Sequence, residues 1–366
     1  MIEVTQTGIR MNGEELRDHQ KMSAQHVTFS LTEACPLRCR HCIVDTVPAA
    51  DKGRTMPLER AQSYARQLSG LKERGVRIVS FTGGEPFLAA SQLRLLSVGA
   101  ASAGMECVVV TAGHWAGSDY GAQRTLAAFP AITHWQISAD VFHAEFIPVG
   151  NAVRGVRAAL AHGRRAMVRM AASVPLTARH LEVYQEIRSQ LPPQVQIAVQ
   201  PVTLNGRGAS VETEIPHAQV PAWPCVPNGM VVRFDGTIAP CCGGLVDQRT
   251  GHPFQYENAD TQGLVKAHEV WCTDPLLQLI RTVGFAPLLG WVREVSPEHE
   301  VLKATPEHPC ECCVRLWRDP AVGPALRRRA EVPANRQKLA TLTEVVFGET
   351  FMKEATVEPG TQPTSF

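Results

Sequence analysis

Residues 31–45, LTEACPLRCRHCIVD, put Cys35, Cys39 and Cys42 at CxxxCxxC spacing directly after the strand-like run 26–30. Three thiols on a short, polar, proline-containing loop form the donor set of a metal site. Three soft ligands on an iron–sulfur cluster that takes four leave one iron open to a small molecule. Zinc, or three unligated buried thiols, are the alternatives. Zinc usually closes a structural site with a fourth protein ligand, and His41 is too near Cys42 in the chain to supply it easily.

A second segment, Gly83-Gly84-Glu85-Pro86, follows the apolar run 76–81. With both motifs in place the chain resembles the radical S-adenosylmethionine (SAM) enzymes. In that family the cysteine triplet sits on the loop after the first barrel strand. The amino and carboxylate groups of SAM chelate the open iron, and the glycine-rich segment supports the amino end of SAM. The resemblance therefore implies Cys35, Cys39 and Cys42 as ligands of a SAM-binding [4Fe-4S] cluster, and Gly83, Gly84, Glu85 and Pro86 as cofactor-binding residues. The family usually carries an aromatic residue before the third cysteine, where this chain has His41.

Around these motifs short β-branched runs alternate with amphipathic stretches. The pattern predicts strands over 26–30, 76–81, 107–111, 134–138, 166–171 and 196–199. Helices are predicted over 57–69, 91–103, 120–128, 151–162 and 177–190, with Pro57 in a first turn and Gly163 after a last one. Such alternation implies an α/β fold with parallel strands joined by right-handed crossovers. An open doubly wound sheet satisfies the same pattern. The resemblance implies instead a partial (β/α)6 TIM-like barrel over residues 25–208, with its site at the C-terminal ends of the strands.

Two further strand ends matter on that view. Ser138 and Asp140 resemble the family's Ser-x-Asp segment near the SAM ribose, with His143 facing substrate; Asp140 as a helix cap and His143 as a packing residue is the alternative. The 111–115 turn, TAGHW, stands where the family often has Thr-Asn-Gly. Arg169, on the fifth predicted strand, is a candidate partner for the SAM carboxylate or else a surface residue. The turn NGRG at 205–208 closes the barrel region, and a linker rich in proline and acidic residues spans 211–227.

A second cysteine set follows. Cys225 precedes Gly236, which precedes Cys241, and Asp235-Gly236 between two apolar runs is a hairpin signal. Downstream, the run 308–313, HPCECC, offers Cys310 and Cys313 as a CxxC pair. Four thiolates so arranged can close a metal site. The arrangement resembles the SPASM or twitch extension of radical SAM proteins, predicted here over 209–319 as a β-hairpin plus helix. No cysteine follows Cys313, which favours the shorter twitch form with one auxiliary [4Fe-4S] cluster. Cys242 and Cys312 are the neighbours able to replace Cys241 and Cys313, and zinc remains the alternative metal. Residues 1–24 read as an N-terminal arm, and 320–366 as a closing helix (339–351) and a tail.

The chain has 366 residues, 44% hydrophobic, with a formal net charge of +1, which offers no general attraction for nucleic acid or an anionic membrane. No apolar run reaches the ~20 residues of a membrane span and no secretory signal is visible, so a cytoplasmic location is expected. The 11 cysteines then read as thiols and metal ligands.

For function, the resemblance implies reductive cleavage of SAM and hydrogen abstraction by a 5'-deoxyadenosyl radical, with the auxiliary cluster taking up an electron. The expected substrate is a ribosomally made peptide that gains a thioether or carbon–carbon link or is epimerised. A twitch-type dehydrogenase or epimerase of a small sugar or cyclitol is the second reading, and a non-catalytic iron–sulfur electron carrier the third. Expected partners are a reducing donor such as flavodoxin or ferredoxin and a separate leader-peptide recognition protein, since about 25 N-terminal residues are too few for a leader-binding domain. His143, Cys272 and Cys312 are the weak catalytic candidates.

Overall fold

The structure is a computed structural model that describes residues 12–44, 46–49, 54–203, 205–213, 224–246, 248, 250–303, 306 and 309–347. Its strands are β1 (His26–Ser30), β2 (Ile78–Thr82), β3 (Glu106–Thr111), β4 (His134–Ser138), β5 (Arg165–Ala172), β6 (Ile197–Pro201), β7 (Met230–Arg233) and β8 (Ile238–Ala239). They form one sheet in the order β8-β7-β1-β2-β3-β4-β5-β6. A separate two-residue pair, Ala34–Cys35 with Val47–Pro48, staples the cysteine loop.

From β1 to β6 every neighbour is parallel and sequential. Right-handed crossovers through α2 (after α1, Gly13–Ala24; α2 is Leu58–Ala65), α3 (Leu68–Glu73), α4 (Ala90–Ser102), α5 (Asp119–Ala128), α6 (Gly150–Ala161) and α7 (Ala178–Gln190) then all fall on one face. A doubly wound sheet reverses its order at a switch point; these six strands do not. The order therefore departs from a doubly wound sheet and is the sequential parallel order that a partial barrel requires.

Alternation along the strands separates the two faces. Val27, Phe29, Val79, Phe81, Trp135 and Ile137 are fully buried and turn toward the helices. Phe29, for example, meets Tyr64 of α2 at a ring-centroid distance of 6.0 Å. The other face is polar. His26 Nε2 and Ser80 Oγ lie 2.6 Å apart, and Arg169 donates to Gln136 Oε1 at 3.4 Å and Gln200 Oε1 at 3.0 Å across β4, β5 and β6. A polar lumen inside an apolar sleeve suits a solvated ligand.

Three features depart from expectation. The predicted helix over 57–69 breaks into α2 and α3 around Arg66 and Gln67. The Asp235-Gly236 hairpin forms, with Gly236 at φ 81°, but β7 runs parallel to β1 and extends the barrel sheet. The extension is also richer than a hairpin plus one helix. Residues 209–319 contain α8 (Ala259–Gln262), α9 (Leu264–Thr273), α10 (Pro275–Val283), α11 (Ala286–Val295), α12 (Glu300–Lys303) and α13 (Pro309–Leu316), and the closing segment has two helices, α14 (Val322–Glu331) and α15 (Pro333–Phe347). The run 339–351 belongs to α15 as far as residue 347; the tail 358–366 and most of the linker 211–227 lie outside the described residues.

The polar N-terminal stretch is helical from Gly13. Asn12 caps it, accepting from Glu14 N and Glu15 N, while Glu15 Oε2 accepts from Asn12 N at 2.8 Å. Gln20 of α1 is fully buried and bridges to the extension: its Nε2 donates to Cys225 O (2.7 Å) and Arg281 O (3.0 Å), and its Oε1 accepts from Arg281 Nε (2.7 Å). Among the described residues no helix is long and apolar enough to cross a membrane.

Candidate active site and its two thiol sets

The cysteine loop leaves β1 at the C-terminal edge of the sheet. Cys42 N donates to Cys39 O at 3.3 Å, and Leu37 N to Cys35 Sγ at 3.5 Å. Burial pushes the Cys35 thiol up to about 12, with Glu85, Cys39 and Cys42 adding to the rise. Cys42 is raised by burial too, against the pull of Arg207. The three thiols thus sit within electrostatic reach of one another.

Gly83 and Gly84 hold the base of this loop. Gly84 N donates to Thr32 O at 2.6 Å and Glu85 N to Ala34 O at 2.8 Å. A Cβ on either glycine would run into the backbone carbonyls of Thr32 or Ala34, so both glycines are required by backbone contact. Glu85 is fully buried and turned toward β3, accepting from Thr111 Oγ1 (2.8 Å) and Ala112 N (2.9 Å). Its carboxylate ties the glycine segment to the TAGHW turn, leaving backbone groups as the polar face there. Pro86 starts the short helix Pro86–Ala89 and is buried.

The NGRG turn does more than end a barrel strand. Arg207 N donates to Cys42 O (2.9 Å), Arg207 Nε to Cys39 O (3.1 Å) and Arg207 Nη2 to Thr46 Oγ1 (2.9 Å). Gly206 and Gly208 pack on the backbone of Ile43, Cys42 and His41. Arg207 was not among the candidate residues; a glycine-flanked cation after the sixth strand was the available signal.

Asp140 is buried and committed to protein partners. It accepts from Phe142 N and His143 N (both 2.9 Å), from His143 Nδ1 (2.9 Å) and from Ala171 N (3.1 Å). Its side chain closes a turn, with no helix following at 141–146. Burial alone would raise its carboxyl, but the charge and hydrogen bond of His143, joined by His41, bring it down to about 2. Burial likewise disfavours the His143 cation, yet Asp140, with help from Cys39, lifts it to about 10. Burial holds His41 down to about 4, against the pull of Asp140; its ring stacks on Phe142 at 4.7 Å and meets His143 edge-on at 5.0 Å.

Ser138 and Arg169 come together. They are register partners on β4 and β5, and Arg169 lies in the lumen, not on the outer surface. Burial pushes its guanidinium below the usual value, while Cys242 pulls it back up.

In that second set burial raises Cys225, Cys241, Cys310 and Cys313, Cys241 to about 12. Every pair among these four is electrostatically coupled. Cys242 couples to Cys225, Cys241 and Cys310, and its Sγ accepts from Asn228 Nδ2 at 3.6 Å. Cys313 Sγ accepts from Trp317 Nε1 at 3.2 Å. Cys225 is anchored by its N–H to Ile280 O at 2.9 Å. His308 lies outside the described residues.

Two catalytic candidates are displaced. Cys312 is fully buried in the apolar core, and Cys272 is buried on α9, its sulfur 3.6 Å from His268 Nε2. Both pack in the helical layer because their positions on α13 and α9 face the core. His143 stands against the cysteine loop, engaged by Asp140.

The first donor set fits an iron–sulfur cluster by its chemistry: three soft thiols gathered on one loop, with burial raising Cys35 and Cys42 and so retaining protons that iron would replace.

Residues 29–145 match the family model described as the Radical SAM superfamily. The chain therefore carries a radical SAM domain, which is an enzyme domain. Among curated relatives, the GTP 3',8-cyclase of Chlorobaculum tepidum is 31% identical over 96 residues, 26% of this chain and 28% of that protein. The GTP 3',8-cyclase of Aeromonas hydrophila is 31% identical over 98 residues, 26% and 29% of the two chains. The chain thus matches less than a third of the length of these relatives. Two solved structures of anSMEcpe, one polyhistidine-tagged with bound AdoMet and one native with bound AdoMet and a peptide, superpose with TM-scores of 0.50 at 13% identity. They cover 90% of this chain and 97% and 98% of theirs, a likeness of fold.

Proposed function

We propose that this protein cleaves SAM reductively and uses the resulting radical to modify a ribosomally made peptide, with a second, four-thiolate cluster of the twitch type taking up an electron. Cys35, Cys39 and Cys42 would hold the first cluster, and Cys225, Cys241, Cys310 and Cys313 the second. When bound, the first cluster and SAM together supply a 5'-deoxyadenosyl radical able to abstract hydrogen from an unactivated C–H bond.

The chain's own residues prepare this chemistry. Gly83, Gly84 and Arg207 clamp the cysteine loop from two sides, which fixes the direction in which the open position faces. Arg169 and Ser138 offer a cation and a hydroxyl for the SAM carboxylate, and Arg169 is held in place by two neutral amides. Asp140, tied to His143 and Ala171 N, orders the turn beside the loop. The apolar residues Leu37, Phe142 and Val202 gather at this end of the barrel and exclude water.

One observation supports the oxidative part of the reading: the sulfurs of Cys241 and Cys310, from two distant segments of the chain, come together at Gly243. A second cluster closed by four thiolates would leave no iron for substrate to bind, which suits electron transfer. The peptide substrate is supported by the auxiliary-cluster extension and by the anSMEcpe structure that holds a peptide. Anaerobic incubation with SAM, a strong reductant and any short peptide encoded beside the gene, followed by mass spectrometry, tests it. Loss of two hydrogens or a changed stereocentre in a peptide is expected; 5'-deoxyadenosine formed with a sugar or cyclitol as the altered product would replace the substrate class.

A further inference from the structure

We propose that His143, held by Asp140, is a positioning residue of the first cluster: its second ring nitrogen donates to the sulfur of Cys39 and raises the reduction potential at which that cluster takes up an electron. The inference rests on the reading of Cys35, Cys39 and Cys42 as cluster ligands and adds what tunes them.

The ring is fixed from behind. Asp140 Oδ1 accepts from Phe142 N and His143 N, and Oδ2 accepts from Ala171 N at 3.1 Å and stands 2.9 Å from His143 Nδ1. An ionised carboxylate only accepts, so Nδ1 carries a proton and the direction of the imidazole is set. Nε2, on the opposite side of the ring, is left for the cysteine loop. Phe142 packs with Leu37 and Cys39 in one apolar group, the His41 and His143 rings meet edge-on at 5.0 Å, and the Cys39 thiol lies within hydrogen-bonding reach of His143. The order carboxylate, imidazole, ligand sulfur orients a metal ligand from outside the metal's own contacts.

Cys39 is held differently from its two neighbours. Leu37 N donates to Cys35 Sγ at 3.5 Å, and the donors to Cys42 are the Val44 N–H and the Thr46 hydroxyl; all of these are neutral. A thiolate brings no proton of its own, so a bond from Nε2 to Cys39 needs an imidazole protonated on both nitrogens, a charge that Asp140 balances from the far side. The carbonyl of Cys39 accepts from Arg207 Nε at 3.1 Å, so the residue is gripped at sulfur and backbone alike. With both nitrogens of His143 engaged, neither is left to bind a substrate. That decides between the two roles.

The sign of the effect follows from charge. Reduction adds one electron to the cluster and moves no proton. The positive edge of the imidazole faces the sulfur, whereas Asp140 lies beyond the ring with three backbone N–H groups on its carboxylate. The reduced state therefore gains more than the oxidised one, and hydrogen bonds to ligand sulfurs are among the features that set cluster potentials.

The test uses the full chain loaded with iron and sulfide, reduced stepwise with dithionite through a series of redox dyes and followed by electron paramagnetic resonance. The first cluster is the signal that changes when SAM is added. His143→Leu is expected to cut the ratio of reduced to oxidised first cluster about tenfold at a given potential, a midpoint about 59 mV more negative, with iron content and the signal of the second thiol set unchanged. His143→Gln keeps a neutral N–H donor and is expected to shift the midpoint in the same direction by less. A midpoint that stays in place in both variants, with iron and the SAM response retained, overturns the proposal. So does a shift to less negative potential, or an equal shift of both signals, which marks a general change in packing. Should His143→Leu lose its iron, His143→Gln decides alone. A wild type that holds no iron after reconstitution, or whose signals ignore SAM, marks failure of the cluster reading instead.

Discussion

Cys312 and Cys313 are adjacent in sequence and face opposite ways. Cys312 is fully buried in apolar packing, while Cys313 Sγ accepts from Trp317 Nε1 and is coupled to Cys225, Cys241 and Cys310. On α13 one residue of offset turns a side chain by about 100°, enough to send one sulfur to the core and the other to the second thiol set. Replacing Cys313 by Ala is expected to lower iron from about eight to about four per chain. Cys312→Ala keeps the iron and costs about 1 kcal/mol of stability. Iron and sulfide analysis with chemical unfolding checks both.

The glycine segment makes a different prediction. A methyl group at position 84 meets the Ala34 carbonyl, and neither backbone strand can yield without breaking the Glu85 N to Ala34 O bond. Gly84→Ala should destabilise the protein by about 3 kcal/mol and lower iron at the first site selectively, leaving the second site's share.

Arg169 is predicted to matter for SAM and not for iron. Arg169→Gln removes a cation that would pair with a carboxylate, an interaction worth about 2 kcal/mol, or roughly thirtyfold in affinity. SAM titration by calorimetry on loaded protein, beside iron analysis, separates the two effects.

The barrel was readable because its signals are local. All six strand runs and four of the five helices recur within a few residues of their predicted bounds, the fifth splitting in two, since β-branched alternation and amphipathic spacing reflect the two-faced sheet directly. Less visible was anything set by long-range pairing. β7 joining β1, Gln20 bridging to Arg281, and Arg207 gripping the cysteine loop each depend on contacts far apart in sequence. Asp140 shows the same limit: its residue type fits a ribose contact or a helix cap equally, and its bond from Ala171 N, 31 residues on, forms only once β4 and β5 pair. The Asn12 capping box is written in the sequence as Asn12-Gly13-Glu14-Glu15, but the helix it starts is polar on most faces and carries no amphipathic signal.

The Asp140–His143 pair gives a pH prediction with a defined sign. Asp140 falls from an ordinary 3.8 to about 2, so its contribution is present above about pH 4 and is lost as pH falls through 2. His143 rises from 6.5 to about 10, so its contribution is complete below 6.5 and is lost as pH climbs through 10. Asp140→Asn should therefore cost most between pH 4 and 6.5, about 3 kcal/mol, and the gap to wild type should close toward both extremes. Unfolding curves across that range measure it.

The central claim is that three sulfurs at the head of the barrel leave one iron vertex for SAM, and one measurement addresses it directly. Anaerobically reduced, iron-loaded protein is mixed with SAM, and 5'-deoxyadenosine and methionine are quantified beside the electron paramagnetic resonance spectrum of the cluster. The account predicts both products together with a SAM-dependent change in the cluster signal, each abolished in Cys42→Ala. A fully loaded protein whose spectrum ignores SAM and which forms no 5'-deoxyadenosine would contradict it.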